Sequence, residues 1–142
     1  MRLFLDANVL FSAAHSGAGR AQALVRLAEA GYCTLLSSAH ALEEATRNLQ
    51  RKSRDFEERL AHMTQQTEIV AEAPRGVVGL AAGSGLSMKD APILAAAVHA
   101  AAEYLVTGDQ RDFGPLFGST LRGVKVIRLA EALDLVLRRA GT

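Results

Sequence analysis

An internal disulfide is closed to this chain. It carries one cysteine, Cys33, in 142 residues, so it can form neither an internal bridge nor a cysteine-rich zinc site. That usage points to a reducing, cytoplasmic setting. The four histidines, His15, His40, His62 and His99, have no metal-ligand spacing. Tryptophan is absent and aromatic residues make up only 5%, too few for a nucleic-acid platform built mainly on base stacking. An excess of one charge is missing too. Sixteen Lys+Arg against fifteen Asp+Glu leave +1, which excludes a histone-like protein and an acidic tail but leaves room for a local basic patch. No apolar run can span a bilayer: the longest, residues 91–102, is Ala-rich, contains His99 and is too short. Asp6 interrupts the apolar N-terminus too early for a signal peptide. A soluble cytoplasmic protein with no membrane segment is expected.

What is present suits an ordinary globular protein. Apolar residues are 49% and charged residues 22%, and a chain of this length buries roughly 68% of its unfolded surface without a disulfide or structural metal. No internal repeat and no long linker divides it, so residues 1–142 are expected to form one domain. Short apolar runs at residues 3–5, 34–36, 69–70, 104–106 and 124–127 read as strands. Helical periodicity separates them: Ala21, Leu24, Val25 and Ala28; Leu42, Ala45 and Leu49; Phe56, Leu60 and Met63; and Leu129, Ala132, Leu133, Val136 and Leu137. Residues 77–82 carry a shorter helical pattern. Residues 93–102 are apolar on every side and read as a buried helix, with Pro92 in its first turn and His99 packed within it. Residues 50–68 are polar and read as an exposed helical arm. Strand–helix alternation predicts a three-layer α/β/α sandwich around a mostly parallel sheet.

Acidic residues fall where such a sheet places its ligands. Asp6 directly follows the first strand, and Asp109 and Asp112 lie just beyond the 104–106 strand. Parallel sheets bind ligands outside the carboxyl ends of their strands. Asp90 stands at the start of the buried helix, and Glu43 and Glu44 ride the helix after the second strand. Each has a plain structural reading: Asp90 as a helix cap, Asp109 as a turn residue, the glutamates as solvated surface. Asp6 resists that treatment, because a carboxylate at the end of a buried strand is costly to desolvate without a partner. Converging carboxylates stay ionised together only if a cation neutralises them. All-oxygen donors suit Mg²⁺ or Mn²⁺, and such an ion suits phosphate chemistry. Periodicity leaves Glu43 and Glu44 equivalent, since both lie about equally far from the apolar face at roughly 100° per residue.

The segments Phe4-Leu5-Asp6-Ala7-Asn8-Val9-Leu10, Glu44 with Leu49 five residues on, Lys89-Asp90-Ala91-Pro92-Ile93-Leu94, and Leu105-Val106-Thr107-Gly108-Asp109-Gln110-Arg111-Asp112-Phe113 together resemble the PIN-domain nucleases of the VapC-like toxin kind. The resemblance covers essentially the whole chain. It implies a metal-dependent ribonuclease whose site is Asp6, Glu44, Asp90 and Asp109, with Asp6, Asp90 and Asp109 holding Mg²⁺ or Mn²⁺. It implies supporting roles for Asn8 and Thr107, which match small polar positions that orient the carboxylates, and for Asp112, which matches a position that is often acidic. It selects Glu44 over Glu43. It further implies an RNA substrate, a homodimer and a small antitoxin partner. The basic run Arg47, Arg51, Lys52 and Arg54 is either a solvated face or a set of RNA-phosphate contacts. The rival from another class is a catalytically silent PIN-like module that binds RNA or protein. A phosphatase of the haloacid-dehalogenase type also begins with a strand ending in Asp, but position 8 is Asn, which removes its proton donor. Gly17-Ala18-Gly19 lacks a P-loop lysine, and Cys33 reads as a buried, inert thiol.

Overall fold

Leu3, Phe4 and Leu5 are sealed from solvent, and the strand that contains them, β1 (Arg2–Leu5), lies inside the sheet with a neighbour on each side. A strand buried on both faces reads as a continuous apolar run, as parallel sheets require. The structure, a computed structural model, describes residues 1–47 and 53–141. After β1 come α1 (Ala7–His15), α2 (Arg20–Glu29), β2 (Thr34–Ser38), α3 (Ala39–Arg47), α4 (Arg54–Gln65) and β3 (Thr67–Val70). The chain continues through α5 (Arg75–Ala82), α6 (Ala91–His99), β4 (Tyr104–Val106), α7 (Gln110–Phe113), a 3₁₀ turn (Gly114–Leu116), β5 (Thr120–Leu121), β6 (Val124–Ile127) and α8 (Leu129–Ala140).

The sheet order is β3-β2-β1-β4-β6-β5, parallel except for the β5–β6 pair at one edge. From β1 the chain steps outward to β2 and β3, then returns across β1 to place β4 on its other side. That reversal makes the β1/β4 boundary a topological switch point, where the connections leave the sheet in opposite directions and open a crevice. Helices cover the sheet in an α/β/α arrangement, as the strand–helix alternation predicts. The carboxyl ends of β1 and β4 run on directly into Asp6 and Thr107.

The alanines of α6 explain its depth. Ala91, Ala95, Ala96 and Ala97 are fully buried beside Ile93 and Leu94, and side chains this small let the helix lie close to its neighbours. The helix is shorter than expected. It stops at His99 because Ala101 adopts a left-handed conformation (φ 56°). Ala102 N–H then donates to Ala97 O and Ala101 N–H to Val98 O, both at 3.0 Å, the paired bonds of a Schellman closure. His99 is exposed in that last turn, not packed in the apolar interior, and there a basic side chain lies near the helix's carbonyl end.

The segment expected to be an exposed arm packs instead. Helix α4 starts at a Ser53 cap, whose hydroxyl accepts from Phe56 N–H at 3.1 Å. Phe56 and Met63, one face of that helix, are buried. Phe56 meets Phe11 of α1 at a ring separation of 6.0 Å. Arg59 donates to Ala14 O at 2.7 Å and His15 O at 3.0 Å, binding α4 to the open carbonyl end of α1. The apolar face that periodicity picks out, Phe56, Leu60 and Met63, holds the helix down despite the segment's polar composition. Leu49, expected on the face of the preceding helix, lies outside the described residues. Truncating Phe56→Ala should cost about 3–5 kcal/mol, as for other buried phenylalanines. Denaturant unfolding checks this, and a loss below about 0.5 kcal/mol, the scale of a neutral surface change, would return α4 to the status of a peripheral arm.

Candidate functional site

At the switch point a cavity of about 330 Å³ is lined by Asp6, Ala7, Asn8, Glu44, Lys89, Asp90 and Asp109. Four chain segments supply it: the end of β1, α3, the start of α6 and the loop after β4. Glu44 enters this cavity, while Glu43 lines a separate one with His40 and Glu72. Only Glu44 lies on the side of α3 that meets the α6 entry, a tertiary fact that helical periodicity does not carry.

Asp6 is 4% exposed and has no ion-pair partner among the described residues. Its two oxygens hold the local structure: Oδ1 accepts from Ala7 N–H at 2.7 Å, at the start of α1, and Oδ2 accepts from the Thr107 hydroxyl at 2.7 Å. Thr107 is sealed from solvent and uses its oxygen twice more, accepting from Asn8 Nδ2 at 3.3 Å and from Asp109 N–H at 3.1 Å. Asn8 Oδ1 in turn accepts from Gly108 N–H at 2.9 Å. One hydroxyl thus ties the end of β1, the start of α1 and the Gly108–Asp109 loop together. A carboxylate, a hydroxyl and an amide are all needed, because each bond uses a different donor or acceptor capacity.

Asp90 is 5% exposed. It begins α6 by backbone position, yet its side chain makes no capping bond; it accepts from Ser87 Oγ at 3.0 Å instead. Asp109 does cap, accepting from Asp112 N–H at 3.0 Å, which brings Asp112 back toward it. Asp90, Asp109 and Asp112 each offer an oxygen within 4.8 Å of the others. An all-carboxylate donor set of this kind fits a hard divalent cation and not zinc. Lys89, whose only signal in the sequence is its place beside Asp90, stands 3.8 Å from Glu44 Oε1.

Of the basic run, Arg47 and Arg54 do not line this cavity. Arg54 pairs along its own helix with Glu58 at 3.2 Å, as a solvated face would. Arg47 lines a shallow pocket with Leu42, Glu43 and Thr46. Arg51 and Lys52 lie outside the described residues.

A PIN-domain family model matches residues 2–111, which include every carboxylate of the cavity. The chain belongs to the PIN-domain family. PIN domains are generally metal-dependent nucleases, and the acidic cluster described above is compatible with metal binding. Among solved structures, the crystal structure of PAE2754 from Pyrobaculum aerophilum is similar, at 19% identity and a TM-score of 0.60 over 100% of both chains; at that identity the likeness is one of fold. No curated protein matches the sequence. No helix among the described residues is long and apolar enough to cross a membrane.

Electrostatics at this PIN-domain cavity concentrate on Asp6. Burial pushes its carboxyl up from an ordinary 3.8 to about 6; the bonds from Thr107 and Ala7 pull it down, and the neighbouring carboxylates of Glu44 and Asp90 add to the rise. The folded value lies above the unfolded one, so protonation of Asp6 favours the fold. That stabilisation is complete below about pH 4 and is lost as pH rises through about 6. At neutral pH the ionised group therefore costs the metal-free protein something on the order of 3 kcal/mol, from about two units at roughly 1.4 kcal/mol each. Asp6→Asn removes the charge but disturbs the Thr107 bond at every pH. Relative to the parent in EDTA, the variant should gain on the order of 1–2 kcal/mol more at pH 8 than at pH 5. Paired denaturant melts measure this difference, and an equal effect at both pH values would show that burying Asp6 carries no charge penalty.

Proposed function

We propose that this PIN-domain protein is a ribonuclease that hydrolyses RNA phosphodiester bonds with Mg²⁺ or Mn²⁺. The observation that carries the reading is Asp6, a buried carboxylate with no cationic partner among the described residues, sharing one cavity with Glu44, Asp90 and Asp109. Carboxylates crowded in this way are stable together when a cation joins them. Asp6, Asp90 and Asp109 hold the ion in this reading, with Glu44 beside it; Asp112, whose oxygen already lies within 4.8 Å of those of Asp90 and Asp109, is a further donor. A divalent ion supplies Lewis acidity, acidifying water and neutralising charge on phosphate oxygens.

The chain's own residues do the rest. Thr107 and Asn8 keep Asp6 and the Asp109 loop in register, so the donors are placed before substrate arrives. Lys89 is 70% exposed at its side chain while paired with Glu44, and its ammonium at the cavity is available to an incoming phosphate. Water attacks phosphorus in line and the 3′-oxygen leaves, giving a 5′-phosphate and a 3′-hydroxyl.

The role of toxin in a toxin–antitoxin pair, with a small antitoxin partner, a homodimeric state and a cytoplasmic location, is proposed on the motif resemblance to VapC-like members. A small open reading frame next to the gene, and co-purification of its product, test that part separately.

Three measurements bear on the catalytic reading. Millimolar Mn²⁺ should raise the melting temperature and EDTA should reverse it, because an ion bound by the native state alone stabilises by mass action. Cleaved RNA should carry 5′-phosphates; 2′,3′-cyclic phosphates would instead make the RNA's 2′-hydroxyl the nucleophile and end the water mechanism. Thr107→Val keeps the carboxylates but removes the hydroxyl that orients Asp6, and should lower metal affinity or activity roughly 10- to 100-fold. A Thr107→Val protein with unchanged metal affinity and rate would reduce that network to scaffolding.

A further inference from the structure

Helix α1 runs from the metal cavity into a second one. Asn8 lines the carboxylate cavity, while Phe11, Ser12 and His15 line a separate open cavity of about 450 Å³ whose other wall includes Arg20 and Leu129. Residues 8, 11, 12 and 15 follow the i, i+3, i+4, i+7 spacing of a single helical stripe. At 1.5 Å per residue the second cavity begins roughly 5 Å and ends about 10 Å further along α1, within reach of a nucleotide next to one bound at the carboxylates.

This cavity has an aromatic floor. The imidazole of His15 lies on the Phe11 ring, with centroids 5.5 Å apart and planes 13° from parallel. Phe11 in turn meets the buried Phe56 at 6.0 Å, the two rings tilted by 53°, so the exposed His15 ring rests on an aromatic contact anchored in the core. Arg59 fixes the backbone of the same turn through Ala14 O and His15 O. An exposed flat ring held from behind is pre-organised to stack on another flat ring, and base–aromatic stacking is tolerant of sequence. Arg20, across the cavity, is exposed and has no hydrogen-bond or ion-pair partner among the described residues, leaving its guanidinium open to a phosphate or a base edge.

We propose that this cavity is a nucleobase subsite, in which one unpaired base of a single-stranded RNA stacks on His15 while Arg20 contacts its backbone or edge. The proposal rests on the ribonuclease reading and favours RNA that is locally single-stranded beside the scissile bond, since a paired base would first have to be unpaired and unstacked at a cost of a few kcal/mol. The chain's scarcity of aromatic residues makes a single stacking position, and not an extended platform, the arrangement it can build.

The test is an abasic scan. A short fluorescent single-stranded RNA is bound to the protein in Ca²⁺, followed by anisotropy, with one abasic residue moved along the strand. One position should weaken binding by roughly 5- to 100-fold, the range for loss of a stacked base. In His15→Ala that same position should matter less than about two-fold, and His15→Tyr should restore the sensitivity, because the ring and not the imidazole nitrogen makes the contact. Arg20→Gln should weaken the intact strand and flatten its salt dependence. A flat scan on a strand that binds, or a profile unchanged by His15→Ala, overturns the subsite while leaving the ribonuclease reading intact. Absence of binding by any strand, together with no cleavage in Mn²⁺, ends both.

Discussion

The buried carboxylate of Asp6 is the constraint on which the rest of the molecule turns. It sits at the end of the central strand, 4% exposed, with burial and two neighbouring carboxylates opposing its ionisation. Desolvating a charge without a counter-charge is one of the largest single penalties a fold can carry. The protein reduces it locally through Ala7 N–H and the Thr107 hydroxyl, but neither bond supplies positive charge. The remaining penalty is what makes the cavity receptive to a cation, and the same bonds that soften it also fix the groups that would receive one.

The parallel sheet makes this arrangement possible. Because β1 and β4 are adjacent and parallel, their carboxyl ends open at the same edge, and the change of direction between them leaves a crevice that no connection crosses. Into it α3 brings Glu44 and the start of α6 brings Asp90. The alanine-rich α6 matters here in a way its composition alone does not show: small buried side chains seat the helix deeply, and its first residue arrives at the depth of the strand ends. Helix α1 leaves from Asp6 itself, so its exposed stripe is registered to the carboxylates by a rigid element.

Much of this was legible in the residues. The apolar runs of β1, β2, β4 and β6 and the periodicity of α2 and α8 mark those elements, because burial on both faces or on one stripe writes itself into spacing; α6 shows as an apolar run but ends at His99, short of residue 102. Helix α1 leaves no such mark. Its buried alanines carry little hydrophobic contrast, and Asp6 reads as a strand end before it reads as a helix start. The two-residue β5 has no pattern to find. Helix α4 reads as an exposed arm on its average polarity, although the periodic Phe56 and Met63 supply the face that packs. At the site, residue types and positions single out Asp6, Asp90, Asp109, Asp112 and the Glu43/Glu44 pair, and the motif resemblance narrows them to the four acids that line one cavity; three features need tertiary neighbours. These are the placement of Glu44, and not Glu43, in that cavity, the approach of Asp112 to Asp90 and Asp109 through a four-residue helix, and the Thr107 hydroxyl that joins two strand ends a hundred residues apart in sequence.

The most direct test of the central claim is anomalous diffraction from crystals grown at neutral pH with Mn²⁺. The account predicts a peak in the cavity among Asp6, Asp90 and Asp109, with carboxylate oxygens at about 2.0–2.2 Å, near the distance expected for a hard octahedral ion. An empty cavity at millimolar Mn²⁺, or an ion held elsewhere while Asp6 remains alone with Thr107 and Ala7, would contradict it.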